Sequence, residues 1–382
     1  MISFKHLTTA LAAFALLFAV AIVPPRALAA DEARPNDVAR FLAGLEPSAT
    51  SPLAPLMRQK TWQVHARVFD QAWKGLDQRQ LSKIRTWSQT NITAQRPVMF
   101  YMFSGPDFLY ANTLFPGAST YVMSGLEPVG RVPELTHSVR RTLPQSLASL
   151  RVSMNSILSY SFFRTKDMRV QLSSGALHGT LPVLYVFLAR NGMTIHDVEL
   201  VNVAADGTVQ AVVEGDKKQA GGVKIAFSAG NGAQKQTLYY FQTDLSNAGV
   251  RNSGFLKFAE QLGVGDALVK SASYLMHADN FSTVRDFLLA RTQTIVQDDS
   301  GIPLKFFKGD DWDLRPYGKY LGPIPLFAGQ YQPQLGKLYT TSAQRIDFGI
   351  GYRWRPQESN LLMAVKKNQT AAQEQDASAG TK

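Results

Sequence analysis

A pattern of strand, turn, helix, turn and strand between residues 97 and 128 constrains the fold of this chain more than any other feature. An apolar run over 97–103 is followed by a helix of about two turns over 108–115 and by a second strand over 119–123. Gly, Pro, Ser and Asp residues separate these elements. This pattern is typical of a βαβ unit with parallel strands, and it predicts an α/β to α+β fold.

The turns of this unit contain the first candidate site residues. If the two strands are parallel, the turns that follow them lie at the same carboxyl edge of the sheet, where open α/β sheets bind their ligands. Ser104, Gly105 and Asp107 follow the first strand, and Glu127 follows the second. We therefore expect these four residues to lie close together and to bind a ligand.

A later segment repeats this pattern. A strand over 268–276 is predicted to end at His277, and after a helix a short strand over 294–296 leads to Asp298 and Asp299. A histidine titrates near neutrality and paired carboxylates can exchange a proton, so these three residues are the catalytic candidates. The alternatives are a surface histidine and aspartates in Asx turns. Asp244 is a further ligand-binding candidate.

The remaining sequence predicts a mixed sheet with helices. Residues 30–95 carry apolar residues at helical spacing and predict a helical N-terminal region. Asp206-Gly207 supplies the turn of one antiparallel hairpin. The mixed α/β domain is expected to span 96–367 and a disordered tail 368–382. Within this domain we predict a third buried strand at 181–189, a loop at 308–322, and a C-terminal β-hairpin formed by strands at 345–354 and 361–365.

The first 29 residues have the order of a secretory signal. Lys5 precedes an apolar run over 10–23, Pro24 and Pro25 end that run, and small residues follow up to Ala29. This order predicts export with cleavage after Ala29. The run is shorter than the roughly 20 residues of a membrane-spanning helix, and no later segment is long and apolar enough. We expect a periplasmic or secreted bacterial protein without a transmembrane segment once the signal is removed.

Charge and cysteine content restrict the partners and the chemistry. Loss of Lys5 and Arg26 with the signal lowers the formal charge from +11 to +9. An exported basic protein is expected to meet anionic envelope components rather than nucleic acid. The basic residues are scattered, however, which favours a role in solubility. Because the chain contains no cysteine, disulfides, thiolate metal sites and cysteine nucleophiles are excluded.

Residues 99–128 resemble the first cofactor turn of the S-adenosylmethionine-dependent methyltransferases. The shared features are the apolar strand, Ser104-Gly105-Pro106, the short helix ending in Phe115-Pro116-Gly117, and the acidic Glu127 after the second strand. In that family the small residues let the backbone approach the cofactor and the acid binds ribose hydroxyls. Asp107 stands where a small residue is usual, and export separates the protein from the cytosolic cofactor pool. The resemblance implies a Rossmann-like βαβ shape, and no cofactor is predicted.

Three segments are also similar to those of a family of exported bacterial proteins that carries no assigned activity. They are FSGPDFLYA at 103–111, LEPVG at 126–130 and QDDSGIP at 297–303. This resemblance implies that the three segments form a shared site. No histidine spacing matches a zinc motif and no acidic cluster matches a calcium loop, so no metal site is predicted.

Two functions are compatible with these observations. The first is an exported envelope protein that binds a ligand or partner at the carboxyl edge of its sheet. The alternative is a hydrolase acting on an envelope polymer or ester, with acidic residues and His277 as acid and base. Ser104 lacks the Gly-x-Ser-x-Gly context of a serine nucleophile, and helix capping is the simpler expectation for it.

Overall fold

A ten-stranded mixed sheet organises the part of the chain that the computed structural model describes, which is residues 33–133, 135, 142–162, 177–212, 220–230 and 234–367. The spatial order of the strands is β4-β3-β5-β6-β2-β1-β7-β8-β10-β9. The strands are β1 (Val98–Tyr101), β2 (Thr120–Gly125), β3 (Met193–Val203), β4 (Val209–Ala211), β5 (Gly222–Ala229), β6 (Lys235–Gln242), β7 (Gly265–Val269), β8 (Thr292–Gln297), β9 (Trp312–Gly318) and β10 (Asn360–Lys366).

The five central strands β6, β2, β1, β7 and β8 are parallel, and antiparallel strands flank them on both sides. The helices are α1 (Pro35–Leu42), α2 (Lys60–Leu76), α3 (Ser82–Asn91), α4 (Phe108–Leu114), α5 (Leu143–Ser159), α6 (Leu181–Arg190), α7 (Asn247–Arg251), α8 (Phe255–Gln261), α9 (Ser282–Arg291) and α10 (Pro333–Ser342). Among the described residues, no helix has both the length and the apolar character that crossing a membrane requires.

Two apolar layers cover the two faces of the sheet. Met99 and Tyr101 of β1 pack with α1 to α6 on one face, whereas Val98 and Phe100 pack with α7 to α9 on the other. This division follows from the strand geometry, because successive side chains point to opposite faces. The predicted helical N-terminal region thus shares its core with one face of the sheet.

The chain order creates a switch point between β1 and β7. From β1 the chain passes through α4 to β2 on one side, and from β7 it passes through α9 to β8 on the other. The helices of these two crossovers lie on opposite faces of the sheet. The loops that leave β1 and β7 therefore diverge and open a crevice at the carboxyl edge.

The predicted fold class is confirmed. β1, α4 and β2 form the expected βαβ unit, with Val98 opposite Thr120 in a parallel register. The sheet is mixed, the N-terminal region is helical, and β9 and β10 form a C-terminal antiparallel pair. The predicted signal, 1–29, and the predicted tail, 368–382, lie outside the described residues.

The prediction of a strand at 181–189 is wrong, because this segment forms α6. Every residue from Leu181 to Ala189 is buried, so the helix is apolar on all sides. Buried strands and buried helices both have continuous apolar runs, so periodicity does not distinguish one from the other. Pro182, in the first turn, is compatible with a helix start.

The predicted strands near the C-terminus are partly wrong. Residues 345–354 alternate in polarity but contain only an isolated bridge from Ile350 to Arg353, because Gly351, at φ +72°, turns the backbone. β10 pairs instead with β8 and with β9, which lies in the predicted loop 308–322. β9 contains a proline and charged residues, which are typical of loops. It can nevertheless form a strand because it lies at the edge of the sheet, where both are tolerated.

The predicted strand at 268–276 is largely wrong, because β7 spans Gly265–Val269 and overlaps it only at residues 268 and 269. β7 ends at Val269, and Ser271, Ser273 and Tyr274 have φ values of +52°, +52° and +54° that no strand accommodates. His277 consequently ends a 3₁₀ turn, Leu275–His277, rather than a strand.

Gly130, the last residue of the LEPVG segment, packs directly against Gly179. Gly130 has φ +86°, and a Cβ placed on it would lie 2.0 Å from the His178 carbonyl oxygen and 2.9 Å from the Gly179 Cα. Hydrogen bonds from Thr180 N to Pro128 O and from Leu181 N to Val129 O join the same two segments. The start of α6 is therefore attached directly to the loop that follows β2.

We expect Gly130→Ala to lower the free energy of unfolding by about 3 kcal/mol or more, because it adds a steric clash to an unfavourable backbone angle. Gly192→Ala is the matched control, since Gly192 has φ +75° but a Cβ placed on it would meet nothing within 4 Å. This control isolates the backbone cost, about 1 kcal/mol. Equal losses in urea unfolding would show that the contact with Gly179 is unimportant.

Candidate functional site

A cavity of about 210 Å³ lies at the carboxyl edge of the parallel strands, at the switch point between β1 and β7. The loops after β1, β2, β6 and β7 contribute its lining, together with Phe162 and Phe281. These loops contain the predicted ligand-binding residues Ser104, Gly105, Asp107, Glu127 and Asp244, all of which line the cavity.

A buried ion pair forms part of this lining. Lys270 Nζ lies 2.7 Å from Asp107 Oδ2, and each side chain is only 2% exposed. The Tyr101 hydroxyl donates to the same carboxylate oxygen at 3.0 Å, and the Tyr110 amide donates to Oδ1 at 3.2 Å. Lys270 also donates to the Ser161 carbonyl. The pair therefore joins the end of β7 to the start of α4 and the end of α5.

Two effects act on the pKa of the Asp107 carboxyl in opposite directions. Burial raises the pKa of the Asp107 carboxyl, and the Lys270 ammonium counteracts this rise. Lys270 Nζ also lies 4.3 Å from the centroid of the Tyr110 ring, which partly replaces its lost hydration. These partners are what make two charged groups tolerable in the interior.

Backbone strain is concentrated at this site. Among the described residues, the non-glycine residues with φ between +20° and +160° are Ser161, Ser271, Ser273 and Tyr274. Two of them, Ser271 and Ser273, line the cavity, and the Ser161 carbonyl binds Lys270. Such conformations cost on the order of 1–3 kcal/mol each, and they persist only where surrounding contacts enforce them.

The predicted catalytic pair Asp298 and Asp299 supplies the enforcing contacts. Asp298 Oδ2 accepts hydrogen bonds from the amides of Ser271 at 3.1 Å and Tyr352 at 3.3 Å. Asp299 Oδ2 accepts a 2.6 Å hydrogen bond from the Tyr274 hydroxyl. Both carboxylates are buried and neither lines the cavity. Their contacts indicate that they position the strained loop after β7.

Burial governs the titration of this acidic pair. It raises the pKa of Asp298 to about 6, and the neighbouring Asp299 charge acts in the same direction. Burial also raises the pKa of Asp299, whereas its hydrogen bonds from Tyr274 and Asn360 oppose the rise. These hydrogen-bond donors occupy the carboxylate oxygens that an acid or base would need for a substrate.

Asp107, and not Ser104, is the residue that caps α4. Asp107 caps α4 by accepting from the Tyr110 amide, so the expectation that Ser104 caps this helix is wrong. The Ser104 hydroxyl instead faces the carbonyls of Gly105 at 2.7 Å and Ser124 at 3.1 Å as acceptors, and it accepts from the Ser124 amide at 3.2 Å. Ser104 thus binds the loop after β1 to the end of β2.

Glu127 and Asp244 differ in their exposure. Glu127 is 6% exposed, and its Oε2 atom lies beside the backbones of Gly105 and Gly125. Asp244 is exposed at the cavity rim, where it accepts hydrogen bonds from the Ser246 amide and hydroxyl, both at 2.9 Å. Glu127 is therefore the more deeply placed of the two carboxylates.

His277 does not line the cavity. Its ring packs edge-on against Tyr274 with the centroids 5.1 Å apart, and burial lowers its pKa to about 4. The imidazole is consequently neutral at pH 7. The structure brings Ser104, Gly105, Asp107, Glu127 and Asp244 together, whereas Asp298, Asp299 and His277 lie behind the loop that forms one wall.

Lys270 and Ser271 are the functional candidates that the sequence interpretation missed. Lys270 stands inside an apolar run that was expected to be a buried strand. A lysine in such a run needs a buried counter-ion, so its presence was a usable signal. Ser271 carried no such signal, because its strained backbone depends on contacts with distant residues.

A second cavity, of about 470 Å³, lies at the opposite edge of the sheet and is lined in part by Arg96, Arg315 and Lys366. Its charged groups already have protein partners. Arg315 pairs with Asp313 at 2.7 Å, and Lys366 donates to the Leu289 and Ala290 carbonyls at the end of α9. These contacts give Arg315 and Lys366 a structural role in this part of the protein.

The comparisons with known proteins add no assignment, because no family model, no curated protein and no solved structure matches the chain. The geometry of the cavity is therefore the basis for the functional argument.

We expect Lys270→Met to lower the free energy of unfolding by about 3–5 kcal/mol, because it leaves Asp107 buried without its counter-ion. The double variant Asp107→Asn with Lys270→Met should recover part of this loss. Lys224→Met is the control, since Lys224 pairs with Glu199 at 3.3 Å with both side chains more than one-third exposed. Its cost should stay below about 1 kcal/mol. Similar losses for both single variants in urea unfolding would contradict a special role for the buried pair.

Proposed function

We propose that this chain is an exported bacterial envelope protein that binds a small ligand in the cavity at the carboxyl edge of its sheet. One observation carries the proposal: loops from four neighbouring parallel strands meet around a single cavity at a topological switch point. This is the position at which open α/β sheets bind ligands. The backbone strain on one wall gives independent support, because strain of this kind is typical of functional sites.

Ligand binding accounts for the arrangement better than the alternative from sequence, a hydrolase of an envelope polymer or ester. That alternative assigned acid and base roles to His277 and the acidic residues. His277 does not line the cavity, and the carboxylates of Asp298 and Asp299 bind backbone amides and side-chain donors of their own structure. A hydrolase would have to use Glu127 or Asp107, and the latter is engaged by Lys270.

Location in the envelope rests on the N-terminal signal and on the basic charge. The exported chain would carry a formal charge of +9 after loss of Lys5 and Arg26. Anionic envelope components are the partners that this charge favours, through screened long-range attraction rather than a defined patch.

Leu126→Trp should abolish ligand binding in the cavity. Leu126 lines the cavity and is 57% exposed, so a larger side chain there obstructs the mouth without disturbing the core. We would screen a library of small fragments by saturation-transfer NMR against the wild type and this variant. Leu321→Trp is the matched control, because Leu321 is 55% exposed and does not line the cavity.

Fragments that bind the wild type should bind Leu321→Trp equally and lose detectable binding to Leu126→Trp. Hits that persist in Leu126→Trp, or a screen without hits, would contradict the proposed function. Hydrolysis of ester fragments by the wild type, abolished in His277→Ala, would favour the hydrolase instead.

Expression with the native N-terminus in a Gram-negative host should yield a periplasmic protein that begins at Ala30. Intact mass spectrometry of the osmotic-shock fraction would test both the location and the cleavage position. Ala29→Arg should retain the full-length chain, because the peptidase requires a small residue before the cleaved bond. A full-length chain of wild-type sequence in the cytoplasm would contradict the export proposal.

A further inference from the structure

The charges facing the cavity are mainly negative. Asp107, Glu127 and Asp244 line it, and Lys270 is the cation among the described lining residues. Lys270 is held 2.7 Å from Asp107, so its charge is compensated locally. Among the described lining residues, Glu127 and Asp244 therefore give an excess of negative charge, although the chain as a whole is basic. A cation or a hydrogen-bond donor is favoured in such a field, and an anion is disfavoured.

The Glu127 carboxylate packs against two glycines at the wall of the cavity. A Cβ placed on Gly105 would lie 3.5 Å from Glu127 Oε2, and one on Gly125 would lie 2.5 Å from the same atom. All three residues line the cavity. A side chain at Gly125 would clash with the carboxylate, so the absence of side chains at the two glycines lets Glu127 hold its carboxylate at the cavity wall.

Ser271 provides a second acceptor from the other side of β1. Its Oγ atom is buried and has no hydrogen-bond partner among the described residues. Ser271 lines the cavity, and its backbone is held in its strained conformation by Asp298 Oδ2 and by the Tyr352 hydroxyl. A buried hydroxyl without a partner carries an unmet hydrogen-bonding capacity that a ligand N–H can satisfy.

Aromatic side chains surround these polar groups. Phe103, Phe162 and Phe281 line the cavity. Phe103 and Phe281 pack against each other with centroids 6.1 Å apart, and Phe162 packs against Tyr352 at 5.2 Å. Aromatic rings attract organic cations through their π faces and also accommodate apolar groups. The combination of a carboxylate with aromatic rings suits an ammonium group on an apolar body.

We infer that the cavity binds a small organic cation, a primary ammonium on a short apolar body, with Glu127 as its principal binding carboxylate and Ser271 as a second acceptor. This inference rests on the proposed function, because it names the ligand class of the same cavity. The volume, about 210 Å³, is below the roughly 300–1,000 Å³ of sites for drug-sized ligands. The ligand is accordingly small.

Three probes of equal chain length and different charge test this inference. n-Butylammonium, n-butanol and butyrate would be titrated into the full exported chain at pH 7 and constant ionic strength, with binding followed by protein NMR chemical shifts. We expect n-butylammonium to bind at least 10-fold more tightly than n-butanol, and butyrate to bind most weakly. Tighter binding of butanol or butyrate, or binding of none of the three, would overturn the inference.

Substitution of Glu127 tests whether its carboxylate causes the preference for the ammonium. Glu127→Gln should weaken n-butylammonium binding at least 10-fold and leave n-butanol binding within about 2-fold. Asp286→Asn is the matched control, since the Asp286 side chain is 68% exposed and does not line the cavity. It should change neither affinity. An unchanged preference for the ammonium in Glu127→Gln would overturn the role of Glu127.

Ser271→Ala keeps the test decisive if Glu127→Gln does not fold. Removal of the unpartnered hydroxyl costs no internal hydrogen bond, and it should weaken n-butylammonium binding about 3-fold or more without affecting n-butanol. No change in Ser271→Ala would overturn the inference. The proposed function is tested separately by the Leu126→Trp variant, in which fragment binding would survive if the cavity were not the binding site. A wrong ligand class and a wrong cavity therefore give different results.

Discussion

The buried ion pair between Lys270 and Asp107 is the interaction on which the arrangement of the site depends. It lies at the switch point, where the sheet has a gap between loops that leave in opposite directions. Through it the end of β7 is joined to the start of α4 and, by the Ser161 carbonyl, to the end of α5. Burial of two charges is costly, so their hydrogen-bond partners and the surrounding structure must provide the compensation. A feature of this kind specifies geometry more than it adds stability.

The strained loop after β7 is also held in place by buried charged groups. Lys270 binds Asp107 at one end of this loop, while Asp298 and Asp299 bind Ser271 and Tyr274 further along. The acidic residues of the QDDSGIP segment thus act on the loop backbone and on a tyrosine hydroxyl behind the cavity. This explains how a conspicuous acidic cluster in the sequence contributes to a site that it does not line.

Local signals in the sequence were sufficient to predict the βαβ unit, because apolar strands and Pro-Gly turns are short-range features. They did not identify the residue that caps α4, which is Asp107 rather than Ser104. The same signals placed Asp107, Glu127 and Asp244 at one edge of the sheet. They failed for α6, whose apolar run is compatible with either a helix or a strand, and for residues 345–354, whose alternation is interrupted by a turn at Gly351. Lys270 and Ser271 acquire their roles from contacts with residues more than 100 positions away, or from strain that distant contacts impose.

The walls of the cavity come from segments that are distant along the chain. Its lining runs from Tyr101 to Phe281, and the loop on one wall is anchored by Asp298 and Tyr352. In a chain without disulfides, noncovalent contacts of the folded core, including the pair of Lys270 with Asp107, keep these segments together. Contacts of such long range carry the entropic cost of closing many residues of chain. We therefore expect the cavity to be absent from a partly folded or truncated chain, because its walls exist only when all of these segments are in place.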